Sequence, residues 1–125
     1  MRTTLHVSVL LLLLLPLAAC GSPAQQAGVG RACASDDDCA EDNACLDFAG
    51  GYCGLADCDG DDDCPGGSAC VAHDDGERYC FLTCLDKPEC NGGRDAEEES
   101  NCSSKITFVD EQQGGVKACV PPSSG

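Results

Sequence analysis

Twelve of the thirteen cysteines in this 125-residue chain fall into three sets of four. Cys33, Cys39, Cys45 and Cys53 are separated by five, five and seven residues; Cys58, Cys64, Cys70 and Cys80 by five, five and nine. Laying one set on the other superposes Asp36-Asp37-Asp38 on Asp61-Asp62-Asp63, Ala44 on Ala69, and Tyr52 on Tyr79. Self-similarity of this kind marks an internal duplication. Cys84, Cys90, Cys102 and Cys119 open with the same five-residue gap and then stretch to eleven and sixteen. Glu89 keeps the acid before the second cysteine, while Lys87-Pro88 replaces its acidic neighbours. This is a third, diverged unit.

A unit that closes on itself has three possible pairings. First-to-third with second-to-fourth is the expected one, because interleaved bonds draw two loops across one another into a compact knot. It gives Cys33–Cys45 and Cys39–Cys53, Cys58–Cys70 and Cys64–Cys80, and Cys84–Cys102 and Cys90–Cys119. Each bond stabilises by about 2–4 kcal/mol through restriction of the unfolded chain. Such staples are needed. Past residue 20 the aromatics are Phe48, Tyr52, Tyr79, Phe81 and Phe108, and large aliphatics are scattered. Apolar burial on that scale does not offset chain entropy by itself.

The expected fold class is small, disulfide-rich and mostly irregular with short β-hairpins, built from tandem four-cysteine modules. No window sustains a helical period, and Ala49-Gly50-Gly51, Pro65-Gly66-Gly67 and Asp74-Asp75-Gly76 are turn signals. Lys105 to Val109 is the best strand candidate; with polar residues 110–115 and then Val116 to Val120 it predicts a hairpin. The repeats run 33–57, 58–83 and 84–120, and residues 121–125 read as a frayed tail. The acidic triplets belong in equivalent exposed turns, since burying adjacent carboxylates is costly. Tyr52 and Tyr79 are expected to cover equivalent disulfides.

The thirteenth cysteine closes a different pattern. Residues 1–19 have the layout of a secretory leader, with Arg2 as the positive end, Leu5 to Leu17 as the apolar stretch, and Ala18-Ala19 at the cut. A transmembrane helix is the weaker reading. The run is short of the ~20 residues a bilayer needs and is broken by His6, Ser8 and Pro16. Leu17-Ala18-Ala19-Cys20 resembles the lipobox of bacterial lipoproteins. That resemblance implies a lipidated Cys20 as the first mature residue, and it leaves an even set of twelve thiols for an oxidising compartment. Two or more acyl chains suffice for stable anchoring. In Gram-negative lipoproteins an Asp after the lipidated cysteine retains the protein at the inner membrane. Gly21 stands there in this chain, which implies the outer membrane. Residues 20–32, small and uncharged in Gly21 to Gly30, read as a flexible tether of roughly 15–20 Å reach.

The pattern of cysteine, acidic triplet, cysteine, alanine before cysteine, then Tyr-Cys resembles the cysteine-rich repeats of myxobacterial-type lipoproteins. Its spacing is also similar to the Dickkopf N-terminal cysteine-rich region and to small extracellular modules of the EB type. The likeness covers Cys33 to Cys80 well and Cys84 to Cys119 poorly. It implies an extracytoplasmic disulfide module and carries over no binding residue.

Charge narrows the partners. Twenty-two acidic residues face seven basic ones, a formal net charge of −15, and Arg2 falls in the leader. Nucleic acid needs a basic footprint and is not expected. Zinc sites usually show paired ligands two to four residues apart; only Cys80/Cys84 and Cys53/Cys58 come near. Cys-x-x-Cys, the redox signature, is absent from the sequence. His73, beside Asp74 and Asp75, reads as a solvated residue in a polar loop, so no catalytic residue is assigned and the chain is read as a non-enzyme. No cofactor is expected beyond weak calcium at Asp57, Asp59, Asp61 and Asp63. Calcium takes 6–8 hard oxygens, but the EF-hand pattern fails there, with Asp62 at its glycine position and Ser68 at its glutamate. Glu97-Glu98-Glu99 reads as a solvated run, and on the bacterial reading that the lipobox resemblance implies, the sequon Asn101-Cys102-Ser103 has no weight. The functional expectation is a membrane-anchored, extracytoplasmic interaction module with a protein partner. Its display loops would be Leu46 to Tyr52, Val71 to Tyr79 and Asn91 to Asn101. The alternative is a calcium-ordered structural spacer of the cell envelope.

Overall fold

Each four-cysteine unit folds around one antiparallel strand pair in which its third and fourth cysteines stand opposite each other. In the first unit β1 (Ala44–Leu46) pairs β2 (Tyr52–Ala56), with Cys45 facing Cys53. The second pairs β3 (Ser68–Ala72) with β4 (Arg78–Cys84), with Cys70 facing Cys80. The third pairs β5 (Asn101–Ser103) with β7 (Lys117–Val120), with Cys102 facing Cys119. The computed structural model describes residues 21–124. The leader and Cys20 lie outside the described residues.

The fourth cysteine of each pair is therefore held in register by the sheet, while its bond reaches back to the second. The disulfides are Cys33–Cys45, Cys39–Cys53, Cys58–Cys70, Cys64–Cys80, Cys84–Cys102 and Cys90–Cys119. Among the described residues no bond crosses between units. The two bonds of a unit also stack: the sulfurs of Cys33, Cys39 and Cys53 lie within 4.8 Å of one another, as do those of Cys58, Cys64 and Cys80. The fold is a small disulfide-rich one with short antiparallel strands.

The three pairs join into one sheet ordered β1-β2-β4-β3-β6, where β6 is Thr107–Phe108. Strand β4 is the hub. One edge pairs with β3, and the other pairs with β2 over its first half and with β7 over its second. The expected hairpin of Lys105 to Val120 does not form. Its two halves are strands with other partners, β6 on β3 and β7 on β4 and β5. The physical reason is register: Cys119 must face Cys102 and bond Cys90, which commits β7 to β5. Phe108 is then free to cover Val71, its partner on β3.

The tyrosines depart from expectation too. They occupy equivalent register positions, Tyr52 opposite Leu46 and Tyr79 opposite Val71. Both join one shared core, alongside Cys84, Cys90 and Cys119 of the third unit. Phe48, Tyr52, Tyr79 and Phe81 pack on one another, with ring centroids 5.2–6.3 Å apart. Aromatic surface is scarce in this chain, and pooling it buries more of each ring than spreading it would. Leu46, Val71, Leu82 and Ala118 complete this core. A second cluster gathers Cys58, Cys70 and Cys80 under Leu55 and Val109.

Two segments read as loose are packed. Residues 22–32 form a strap rather than a tether. Ser22 and Gln25 make a capping box around the one-turn helix α1 (Pro23–Gln26): the Gln25 N–H donates to Ser22 Oγ at 3.2 Å and the Ser22 N–H to Gln25 Oε1 at 2.9 Å. Ala24 and Val29 are buried in the core. The strap touches all three units. The Ala24 N–H donates to Gly66 O, the Gly30 N–H to Cys53 O, and the Ala32 N–H to Gly93 O. Its small residues, which suggested flexibility, are what let its backbone approach so closely. The tail also docks: the Ala49 N–H donates to Pro122 O at 3.0 Å and Ser123 bridges Phe48. Among the described residues no helix is long and apolar enough to cross a membrane.

Candidate functional site

The acidic triplets are built into the disulfide units as backbone acceptors. Asp36–Asp38 and Asp61–Asp63 each form a short 3-10 turn just before the second cysteine, and neither turn buries a residue. The first aspartate reaches across its unit: the Cys45 N–H donates to Asp36 Oδ1 at 2.8 Å, and the Cys70 N–H to Asp61 Oδ1 at 2.9 Å. The third aspartate closes its own turn, Asp38 on the N–H groups of Ala34 and Ser35, Asp63 on that of Asp59. Glu89 does the same in the third unit, accepting from Leu85 and Asp86. Only Asp37 and Asp62, the middle residues, make no such bond among the described residues. The bonds from Ala34 and Ser35 hold the Asp38 carboxyl below its ordinary 3.8.

This arrangement bears on the candidate calcium ligands. Asp61 is engaged on both oxygens, by Cys70 and by the Gln112 side chain. Asp63 faces the Asp59 amide. Asp57 links the first two units with φ of 61°, a left-handed conformation that Asp tolerates. Among the described residues, the groups whose ligand atoms converge are cysteine trios, all bonded in disulfides. Asp57, Asp59, Asp61 and Asp63 are not brought together as such a group.

The three candidate display loops have different fates. Leu46 and Phe48 of the first are buried. The third folds over the first through Arg94, whose guanidinium donates to Gly51 O at 2.6 Å, Ala49 O at 2.8 Å and Gly30 O at 3.3 Å. Its Nε donates to Glu98 O at 2.8 Å, and its head lies 5.9 Å from the Tyr52 ring centroid. Burial lowers its pKa somewhat, and the guanidinium remains charged. Gly51, at φ of 70°, sits against the Cys33 backbone with no room for a side chain. These loops bind each other. Sequence reasoning missed Arg94 because a single cation in a long polar loop reads as solvated.

The β3–β4 turn remains presented. Asp74, Asp75 and Glu77 are exposed at its tip, closed by the His73 N–H on Glu77 O at 2.9 Å and the Gly76 N–H on His73 O at 3.0 Å. Its base is anchored by aromatic contacts. His73 is not solvated as expected: its side chain is 13% exposed and packs edge-on against Phe48, Tyr79 and Phe81. The Tyr79 hydroxyl donates to Asp75 Oδ2 at 2.7 Å, and the Glu77 N–H to Asp75 Oδ1 at 2.9 Å. Burial alone raises the Asp75 carboxyl, but these two bonds and His73 outweigh it, so Asp75 titrates below the ordinary range. Burial first, and then Asp75, push the Tyr79 phenol up. Beside the tip a 290 Å³ hollow is lined by Asp57, Asp59, Gly76, Glu77 and Arg78. Comparison with protein-family models, curated proteins and solved structures finds no match to this chain.

Proposed function

We propose that this protein is a membrane-anchored extracytoplasmic lipoprotein that acts by binding a protein partner rather than by catalysis. The observation that carries the reading is the β3–β4 tip: three exposed acids on a turn whose base is locked by an aromatic cluster and two disulfides. A preorganised loop loses little conformational entropy when it binds. Its charge suits a basic patch and speeds encounter with one. The lipobox-like Leu17-Ala18-Ala19-Cys20 supports anchoring, and Gly21 supports the outer membrane. Nucleic acid is not a partner on this reading, because the chain is strongly acidic. The first and third carboxylates of each triplet are engaged by backbone amides, so they favour structural turns over a calcium-ordered spacer.

The test is capture from the native envelope with the intact lipidated protein, beside a variant carrying Asp74→Asn, Asp75→Asn and Glu77→Gln. A partner recovered with the parent and lost with the variant supports the reading. Equal recovery by both removes the tip as the contact surface. Cys20→Ser tests the anchor separately, since the variant should leave the detergent phase.

A further inference from the structure

We infer that the module does not swing on a tether but stands directly on the bilayer in one orientation, with Leu85 at the membrane end and the acidic β3–β4 tip pointing away. This deepens the proposed function and rests on lipidation of Cys20. If Cys20 carries the lipid, only Gly21 separates it from a docked segment. Ser22 lies against Gly67, Pro23 against Gly66, and the Ala24 N–H donates to Gly66 O at 2.8 Å. The Gly67 carbonyl in turn accepts from the N–H of Thr83 at 3.0 Å and from its hydroxyl at 2.9 Å. Two residues further on is Leu85, 56% exposed, the one exposed large hydrophobic among the described residues. A 460 Å³ cavity lined by Gly21, Gln25, Glu89 and Gly92 closes the circuit between the strap and the turn after Leu85. The start of the strap and the exposed leucine therefore share one end of the fold.

The opposite end is set by β3 and β4. Their pairing runs from Ser68 with Leu82 near the start of the strap to Ala72 with Arg78. At about 3.3 Å per residue this places the tip roughly 15 Å further from the membrane end. The tip carries Asp74, Asp75 and Glu77, with Asp57 and Asp59 beside it. The membrane end carries mixed charge, with Arg31 and Lys87 beside Asp86, Glu89 and Glu99, the last paired with Lys87 at 2.8 Å. An anionic surface repels the first end and tolerates the second. Charge and apolar exposure thus select the same orientation as the strap.

The chain has no tryptophan, so one introduced at either end reports alone. Lipidated protein bearing Leu85→Trp or Asp74→Trp is reconstituted into phosphatidylcholine vesicles containing lipid with bromine or a nitroxide near the headgroup. The Leu85→Trp signal should be quenched several-fold more than the Asp74→Trp signal. Adding Ala24→Asp, which unseats the strap, should abolish that difference while flotation and the six-disulfide mass persist. Equal quenching at both ends in protein that still floats overturns the orientation and leaves the anchor standing. Protein that does not float with vesicles overturns both.

Discussion

The first two units and the third share one wiring and differ in what surrounds it. In all three, bonds run first to third and second to fourth, the third cysteine faces the fourth across a strand pair, and a 3-10 turn precedes or includes the second. The first two spend almost no residues beyond that frame. The third spends its longer gaps on its neighbours. Its loop after Cys90 sends Arg94 into the first unit, and its excursion between β5 and β7 lays β6 along the second. That excursion even completes a turn: Gly60 offers no side chain to cap Asp61–Asp63, and Asp110 accepts from the Asp61 N–H at 2.7 Å. Short repeats make stable knots, and one long repeat makes them a single body.

The largest expected break is at the Cys90–Cys119 bond, which closes the longest loop, a separation of 29 residues, with both cysteines buried. Replacing both with Ala should cost about 3–5 kcal/mol and lower the unfolding transition of the whole molecule. Replacing Cys39 and Cys53, separation 14, should cost less. Equal losses in thermal melts would mean the third unit does not bind the others together.

Arg94→Ala comes next. It strands carbonyls of Ala49, Gly51 and Gly30, and about 2–3 kcal/mol should be lost. Arg94→Lys should recover less than half, because an ammonium cannot reproduce the fork. Hydrogen exchange should show the first unit's loop 46–52 opening in the Ala variant while the second unit's β3–β4 pairing stays protected.

The two tyrosines sharpen the contrast within the duplicated pair. The Tyr52 hydroxyl accepts from the buried Leu82 N–H at 3.0 Å and donates to Cys119 O at 3.4 Å. Tyr52→Phe leaves that amide unpaired and should cost about 1–3 kcal/mol by chemical denaturation. Tyr79→Phe loses an exposed bond to Asp75 and should cost about 0.5 kcal/mol. Similar losses would show that register, not environment, decides their roles.

The smallest effect is at Asp38. Its folded carboxyl titrates below its ordinary value of 3.8, so its stabilising contribution is present above that value and is lost as pH falls through the lower folded one. Carboxyl NMR titration should place Asp38 below its ordinary value. Asp38→Asn should flatten the acid limb of the stability profile below about pH 4.

The cysteine spacing by itself determined the units and the disulfide-rich fold class, because a thiol's place in the chain limits which loops it can close; it left three pairings per unit, and the structure has the crossed one. The acidic triplets were legible as exposed turns for a similar local reason: the first and third carboxylates of each bond amides within nine residues. The strap was legible in principle, since Ser22-Pro23-Ala24-Gln25 carries the capping-box signature, but its small residues resemble a linker. The pooled aromatics, the clamp of Arg94 on three carbonyls and the pairing of β6 with β3 were decided only by the tertiary structure. Each depends on a contact between residues more than thirty positions apart: Phe48 with Phe81, Arg94 with Gly30 and Gly51, Phe108 with Val71. Nothing local distinguishes Arg94 from a solvated cation, or Thr107-Phe108 from one arm of a hairpin, until the disulfides have placed their partners beside them.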